Sequence, residues 1–406
     1  MRIGLLHTAF GALGGAELLA AAQSQLLAGL GQEMGLVTFG WAESPWRDLF
    51  GEVRVEVVPR RSWRDLLTLD RSSKWAPRAR RAWPFLRGYE TVVAHSQPLA
   101  ALLGESGLPA RRLWYCHEPP WRLHPDRVDY TLLKPMPPGD WLSPLQRMAE
   151  EIRREAAGAV TRRAQELRGT AALEGLAANS DFNRRTLEAI YGRRDVAVIP
   201  PVITFPPDVP PRQGLRRGGL QVLTLARLGL LKNVEAVIRG FGRYAGRAGS
   251  AARLHVVGDG GERPRLEALA RELGLSEAVR FHGTLDPVRD ARRLEELYAA
   301  CDVFTLLPLD ESFGMVFPEA AARGLLLIGP DHGGPVEILE DGRFGACVPV
   351  FEPAALAEAL QAIEGLTDLE VDRRREATDS ACRGRYGPTA VVPLLRAWIL
   401  GDPCTC

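Results

Sequence analysis

The segment from Cys301 to Glu337, CDVFTLLPLDESFGMVFPEAAARGLLLIGPDHGGPVE, leaves this chain the fewest ways to fold. Val303–Leu307 is an apolar run, short and unbroken, of the kind that forms a strand buried on both faces. Pro308–Phe317 has two acidic residues, a glycine and no hydrophobic period, and reads as a loop. Pro318 is placed at the first helical position, opening an Ala-rich helix that ends near Gly324. A second apolar run, Leu325–Ile328, leads to a glycine-rich loop, His332–Pro335, and a short helix from Val336. The result is β-loop-α-β-loop-α. Both loops fall at the carboxyl ends of strands, where open α/β sheets bind ligands.

Glu311 and Glu319 flank Gly314. In one continuous helix they would lie about 12 Å apart along the axis, but Gly314 and Pro318 break such a helix. Glu311 then belongs to the loop and Glu319 to the first helical turn. The amides of Gly314, Met315 and Val316 would be left at a helix N-terminus suited to phosphate. Carboxylates there suit sugar hydroxyls as bidentate acceptors. The segment reads as a site for a ligand that is part phosphate and part sugar. A solvated loop carboxylate at Glu311 and a helix-dipole carboxylate at Glu319 fit the same residues.

ESFGMVFPE followed by AAARG resembles the Glu-x7-Glu signature of retaining, GT-B-fold glycosyltransferases of the large family 4 (group 1) type. The resemblance implies that Glu311 lies by the donor sugar and Glu319 holds the ribose. Ser312, Phe313, Gly314, Met315 and Val316 would meet the diphosphate with their backbone. HGGPVEI resembles the GG-x-x-E loop that follows in that family.

At 406 residues the chain exceeds one ordinary core and predicts two domains. A net charge of +1 gives no case for nucleic acid as a partner. The cysteines are scattered, without C-x-x-C or paired spacing, as in reduced cytosolic proteins; Cys404-Thr405-Cys406 is one pair without partners. The start, MRIGLLHTAF, is too short an apolar run for a signal peptide, and no run approaches the roughly 20 residues of a spanning helix. One bias is informative. Lysine occurs only at 74, 134 and 232 and asparagine only at 179, 183 and 233, while arginine supplies the other basic residues. A lysine that persists where arginine is the default suggests a need for a compact point charge, which draws attention to Lys232-Asn233.

Along the chain, Arg2–His7 reads as a strand, Thr8–Gly15 as a glycine-rich loop and Ala16–Leu30 as a helix. LGGAE is not a G-x-G-x-x-G fingerprint, and a tight strand-to-helix turn explains it equally. The family resemblance places Gly14 and Gly15 against the donor diphosphate. Met34–Phe39 and Val53–Val58 are further strands. Arg60–Arg87 interleaves basic residues with Trp63, Trp75 and Trp83. That pattern suits peripheral contact with an anionic bilayer, at the inner face of the plasma membrane for a cytoplasmic protein, and equally a solvated helix with tryptophans turned into the core. Thr91–His95 and Leu113–Cys116 are buried-type strands. The second runs into YCHEPPW, which resembles the His loop of the mannosyltransferases that act on lipid-linked acceptors, and this implies that His117 contacts the donor sugar. Val128–Ser143 reads as an irregular insertion, Ala149–Leu173 as one long charged helix and Gly175–Ser180 as a strand, with Asp181-Phe182-Asn183 capping the next helix. Val196–Pro201 closes the first half and Pro200–Pro211 is a stiff linker.

The alternation then restarts: strand Gln221–Ala226, loop Arg227–Asn233, helix Val234–Ala245, strand Arg253–Val257, helix Glu262–Leu273 and strand Val279–His282. Gly283 follows and is grouped with the donor-binding residues. RLGLLKN resembles the family's Arg-x4-Lys pair, which implies that Arg227 and Lys232 clamp the pyrophosphate. Pro353–Leu366, Leu369–Tyr386 and Pro388–Leu400 are helices.

The expected fold is α/β, two doubly wound Rossmann-like domains facing across a cleft: an acceptor domain over 1–200, a linker over 201–211 and a nucleotide-sugar domain over 212–387, with residues 388–406 returning to the first. The expected activity is retaining transfer of a hexose, with mannose favoured, from a nucleotide diphosphate sugar to a hydroxyl acceptor, carbohydrate or lipid-linked. His117, Glu311, Arg227 and Lys232 would be catalytic. No D-x-D motif is present, so no metal or other cofactor is expected. A GT-B-type epimerase or phosphorylase, and a non-catalytic sugar-nucleotide binder, are the alternatives.

Overall fold

The computed structural model describes residues 1–11, 14–58, 71–206, 214–215, 218–248 and 251–401. They form two compact units, Met1–Val128 with Glu151–Val202 and Pro388–Cys406, and Asp129–Glu150 with Ile203–Gly387. Each is built on a parallel sheet.

In the first unit the strands are β1 (Arg2–His7), β2 (Glu33–Thr38), β3 (Arg54–Val57), β4 (Thr91–Ala94), β5 (Arg111–Cys116), β6 (Gly175–Ala178) and β7 (Val196–Val198), in the order β3-β2-β1-β4-β5-β6-β7. Alternate residues feed two cores. Leu5, Leu36, Val93, Leu113 and Ala177 face one, and Leu6, Val37, Val92, Trp114 and Leu176 the other. That is why the strands read as unbroken apolar runs. Pro388–Leu400 packs into the first core through Val391, Leu395 and Ile399, and Arg111 donates to its terminal carbonyls at Trp398 and Ile399 over 2.8 and 2.9 Å.

The second unit has β8 (Gln221–Leu225), β9 (Arg253–Val257), β10 (Val279–Gly283), β11 (Val303–Thr305), β12 (Leu326–Pro330) and β13 (Ala346–Val348), ordered β10-β9-β8-β11-β12-β13. One face, through Leu223, Phe304 and Leu327, shares a core with the helices Ala291–Ala300, Val316–Ala321, Pro335–Leu339 and Asp368–Tyr386. In both sheets the strand order reverses beside the first strand, at β1/β4 and at β8/β11.

Several expectations are corrected. Residues 129–150 group with the second unit, not with a domain over 1–200: Trp141 lies under the Arg239 guanidinium at 5.5 Å. The long helix over Ala149–Leu173 is two, Ser143–Ala157 and Val160–Ala171, because Gly158 is a poor helix former and Ala159 leaves helical geometry at ψ 24°. Ser180, not Asp181, caps the helix Asp181–Tyr191, its hydroxyl accepting from the Asn183 amide. The helix expected to open on Pro318 begins at Val316, which puts Pro318 at its third position, where an intrahelical amide partner is still not needed. Of the expected basic, Trp-rich segment, 60–70 lies outside the described residues. In the helix Arg71–Leu86, Trp75 and Trp83 pack against the core and Arg78 is buried over the Trp75 ring. Residues 207–211 of the expected linker and the Cys404–Cys406 pair also lie outside the described residues.

A buried polar knot ties the loop after β5 to the helices behind it. The Glu166 carboxylate accepts from Tyr191, Thr170 and Gln97, and its other oxygen meets His124 Nε2 at 2.9 Å. Removing the shared acceptor strands these groups without solvent. Glu166→Ala should therefore cost roughly 3–5 kcal/mol, read as a lowered thermal midpoint by circular dichroism; an unchanged midpoint would show that the knot adds nothing.

Candidate active site

The reversal at β8/β11 brings two loops side by side. The loop after β8 carries Arg227 and Lys232, and the loop after β11 carries Glu311. Leu309 N–H donates to the Leu231 carbonyl over 2.8 Å, and Lys232 Nζ meets Glu311 Oε2 at 2.6 Å. Lys232 ends a 3-10 turn over Leu230–Lys232, after which Asn233 takes a left-handed conformation, φ 51°. Asn tolerates that geometry, and its side chain donates to the Val350 carbonyl at 3.0 Å. The pair Lys232-Asn233 thus couples a projecting cation to an anchored turn. Arg227 is exposed and makes no ion pair among the described residues.

The Glu311 loop rests on the glycine-rich loop after β12. Gly334 N–H donates to the Glu311 carbonyl over 2.8 Å, and a Cβ on Gly334 would stand 2.1 Å from the Ser312 carbonyl oxygen. Gly314, at φ 92°, turns the loop into the helix Val316–Ala321. Among the described residues the amides of Gly314, Met315 and Val316 have no acceptor. Ser312 is buried, and Phe313 turns its ring into the core against Tyr386, so only its backbone is available to a ligand.

Gly283 ends β10 at the same edge, its carbonyl accepting from Gly258 N–H at 2.8 Å. Gly258 and Gly260, a fragment of a dinucleotide fingerprint in sequence, have a packing reason. A Cβ on either would stand 1.9 and 2.3 Å from the carbonyls of Ala226 and Leu228.

Glu319 falls in the first turn of its helix and is half-buried; its backbone bonds to Met315 and Arg323, but its carboxylate has no hydrogen bond among the described residues. Burial raises its pKa from 4.5 to about 7, against the pull of Arg323.

In the first unit the carboxyl edge around β1/β4 collects histidines. His7 ends β1, His95 follows β4 and His117 follows β5. His95 Nδ1 and His117 Nε2 are 3.0 Å apart. Burial, then the neighbouring histidines, hold His95 well below its usual range; burial takes His117 down to about 3 and His7 to about 4. The backbone under His117 is pinned by two of the chain's three asparagines. Asn179 donates to the His117 carbonyl and Asn183 to that of Cys116, each at 2.9 Å. Sequence reasoning missed these two and His95, although the scarcity of asparagine was a usable signal. Gly14 caps and Gly15 opens the helix Gly15–Gly29, with residues 12–13 outside the described residues.

Residues 208–379 match the model of glycosyl transferases group 1. That stretch is similar to a group 1 glycosyl transferase domain. It contains Arg227, Lys232, Glu311 and Glu319. The chain is 33% identical over 224 residues to a D-inositol 3-phosphate glycosyltransferase of Nocardia farcinica, covering 52% of this chain and 49% of that one. It is 29% identical over 186 residues to an N-acetyl-alpha-D-glucosaminyl L-malate synthase of Bacillus anthracis, covering 46% and 44%. The chain thus spans about half the length of the curated relatives it matches. Among solved structures it resembles Anabaena HepE in complex with UDP, at TM-score 0.69 and 19% identity over 98% of both chains. It also resembles the sucrose-phosphate synthase of Thermosynechococcus elongatus, at TM-score 0.70 and 18% identity over 96% of both. The two parallel-sheet units have the Rossmann-like architecture of GT-B glycosyltransferases.

The raised pKa of Glu319 makes stability depend on pH. Between pH 4.5 and about 7 the folded chain keeps a proton that the unfolded chain has lost, so this group's contribution to stability falls as pH rises through that window. Glu319→Gln removes the penalty. Its stability relative to the native protein should rise by up to about 3 kcal/mol from acid to neutral pH, measured by urea unfolding across that range. Parallel pH profiles for the two proteins would refute it.

Proposed function

We propose that the protein is a retaining glycosyltransferase that moves a hexose from a nucleotide diphosphate sugar to a hydroxyl acceptor. The observation that carries this reading is the contact of Lys232 with Glu311 at the strand reversal, in a loop that continues into the amides of Gly314, Met315 and Val316, which have no acceptor among the described residues. A diphosphate needs a cation and directed N–H groups; a pyranose needs an acceptor for its hydroxyls.

In this reading the diphosphate draws Lys232 away from Glu311, and the freed carboxylate accepts from sugar hydroxyls. Arg227, exposed on the same loop as Lys232, would supply the second charge on the departing phosphate, and Glu319 would hold the ribose. Gly14, Gly15 and Gly283 contribute backbone to the donor, and His117 contacts the transferred sugar. With no D-x-D motif, positive charge comes from side chains, and the reaction proceeds without a divalent metal. An oxocarbenium-like transition state with front-face attack, the leaving phosphate taking the acceptor's proton, needs no carboxylate nucleophile. The YCHEPPW resemblance favours mannose and a lipid-linked acceptor. Peripheral membrane contact would rest on the exposed Arg80, Phe85 and Arg87, since Trp75 and Trp83 are turned inward.

A thermal-shift screen of GDP-, UDP- and ADP-sugars identifies the donor, and product analysis with and without acceptor separates transfer from epimerisation or phosphorolysis. Lys232→Ala should lower kcat about 100- to 1000-fold through lost charge stabilisation at the leaving group. An unchanged rate would remove Lys232 from the site. Turnover should persist in EDTA, and strict metal dependence would count against the mechanism.

A further inference from the structure

The histidine pair after β4 and β5 presents a choice that its surroundings resolve. Of His95 Nδ1 and His117 Nε2, 3.0 Å apart, one must donate and the other accept. Both rings are neutral at pH 7, because burial and the adjacent histidines disfavour their cations. His95 is buried, its ring stacked on Tyr115 with centroids 5.6 Å apart, and its Nε2 is enclosed with no hydrogen-bond partner among the described residues. If His117 donated, the proton of His95 would sit on that enclosed Nε2 as an orphaned N–H. If His95 donates, only a bare ring nitrogen is enclosed. Orphaned buried N–H groups are the rarer outcome in folded proteins.

His7 does not supply the missing partner. Its Nδ1 accepts the Ala9 amide at 3.3 Å and its ring packs on Phe10 at 4.6 Å. Nor is the trio a metal centre, since among the described residues no three His, Cys, Asp or Glu side chains are arranged to hold an ion. The other nitrogen of His117, Nδ1, has no hydrogen-bond partner among the described residues, and the residue is only partly buried.

We propose that His95 is a positioning residue: its Nδ1–H donates to His117 Nε2 and locks His117 as the Nδ1–H tautomer, so that His117 meets its ligand as a hydrogen-bond donor and not as a proton acceptor. The only lone pair of the His117 ring is then occupied by His95. It orients a ligand oxygen and leaves deprotonation of the acceptor to another group. The consequence for catalysis rests on the sugar contact proposed for His117; the tautomer itself does not.

Two measurements test this on the full chain. Two-bond 1H–15N correlation spectra of the 15N-histidine protein at pH 7, with no ligand, report which nitrogen of each ring carries the proton, and the His117 signals are assigned by their loss in His117→Asn. Protonation at Nδ1 of both His95 and His117 is expected. Protonation of His117 at Nε2, or a doubly protonated ring, would overturn the lock whether or not the protein transfers sugar. With the donor found by the thermal-shift screen, His95→Phe should lower kcat 10- to 100-fold with little change in KM. His95→Asn, whose amide replaces the Nδ1–H, should restore most of it. For the same reason His117→Asn should retain more activity than His117→Gln. Equal rates for native and His95→Phe proteins, or a better His117→Gln, would overturn the positioning role while leaving the glycosyltransferase reading intact.

Discussion

The contact between Lys232 and Glu311 depends on a reversal in strand order. A parallel sheet wound outward from β8 and then restarted at β11 must leave the loops after those strands adjacent, with no helix between them. The two side chains are 79 positions apart in sequence, yet the Leu309–Leu231 backbone bond and the ion pair join their loops directly. Much else in the unit supports that junction. The left-handed Asn233 sets the turn under Lys232, the loop after β9 closes on Ala226 and Leu228 with glycines, and the loop after β12 holds Glu311 from below.

The first unit uses the same topology for a different chemistry. Its reversal gathers neutral histidines where the second gathers opposite charges. Neutral imidazoles in a partly dry setting make directional contacts without a desolvated ion, whereas the Lys232–Glu311 pair keeps partial access to water, which limits its desolvation cost. One edge is built for shape and hydrogen-bond direction, the other for charge.

Much of the scaffold was legible because buried parallel strands are short unbroken apolar runs. Arg2–His7 and Arg253–Val257 have the bounds that the sequence suggests. Leu99–Gly104 escaped because six apolar residues show no helical period, and Ala291–Ala300 because its few apolar residues are diluted by charge. The break at Gly158 was invisible to a charge pattern that continues through it. At the site, residue types and spacing pointed to Lys232 and Glu311, but their contact could not be read from a distance of 79 positions. His95 was visible only as the end of a strand; its significance comes from the β4–β5 register, which sets it beside His117.

The seat beneath Glu311 is made of main chain on main chain, with Gly334 too close to the Ser312 carbonyl to admit even a methyl group. A surface without side chains cannot be recontoured by exchanging them. Divergence toward new ligands, in nature or in the laboratory, is thereby steered away from this patch and toward segments whose shape is set by side chains.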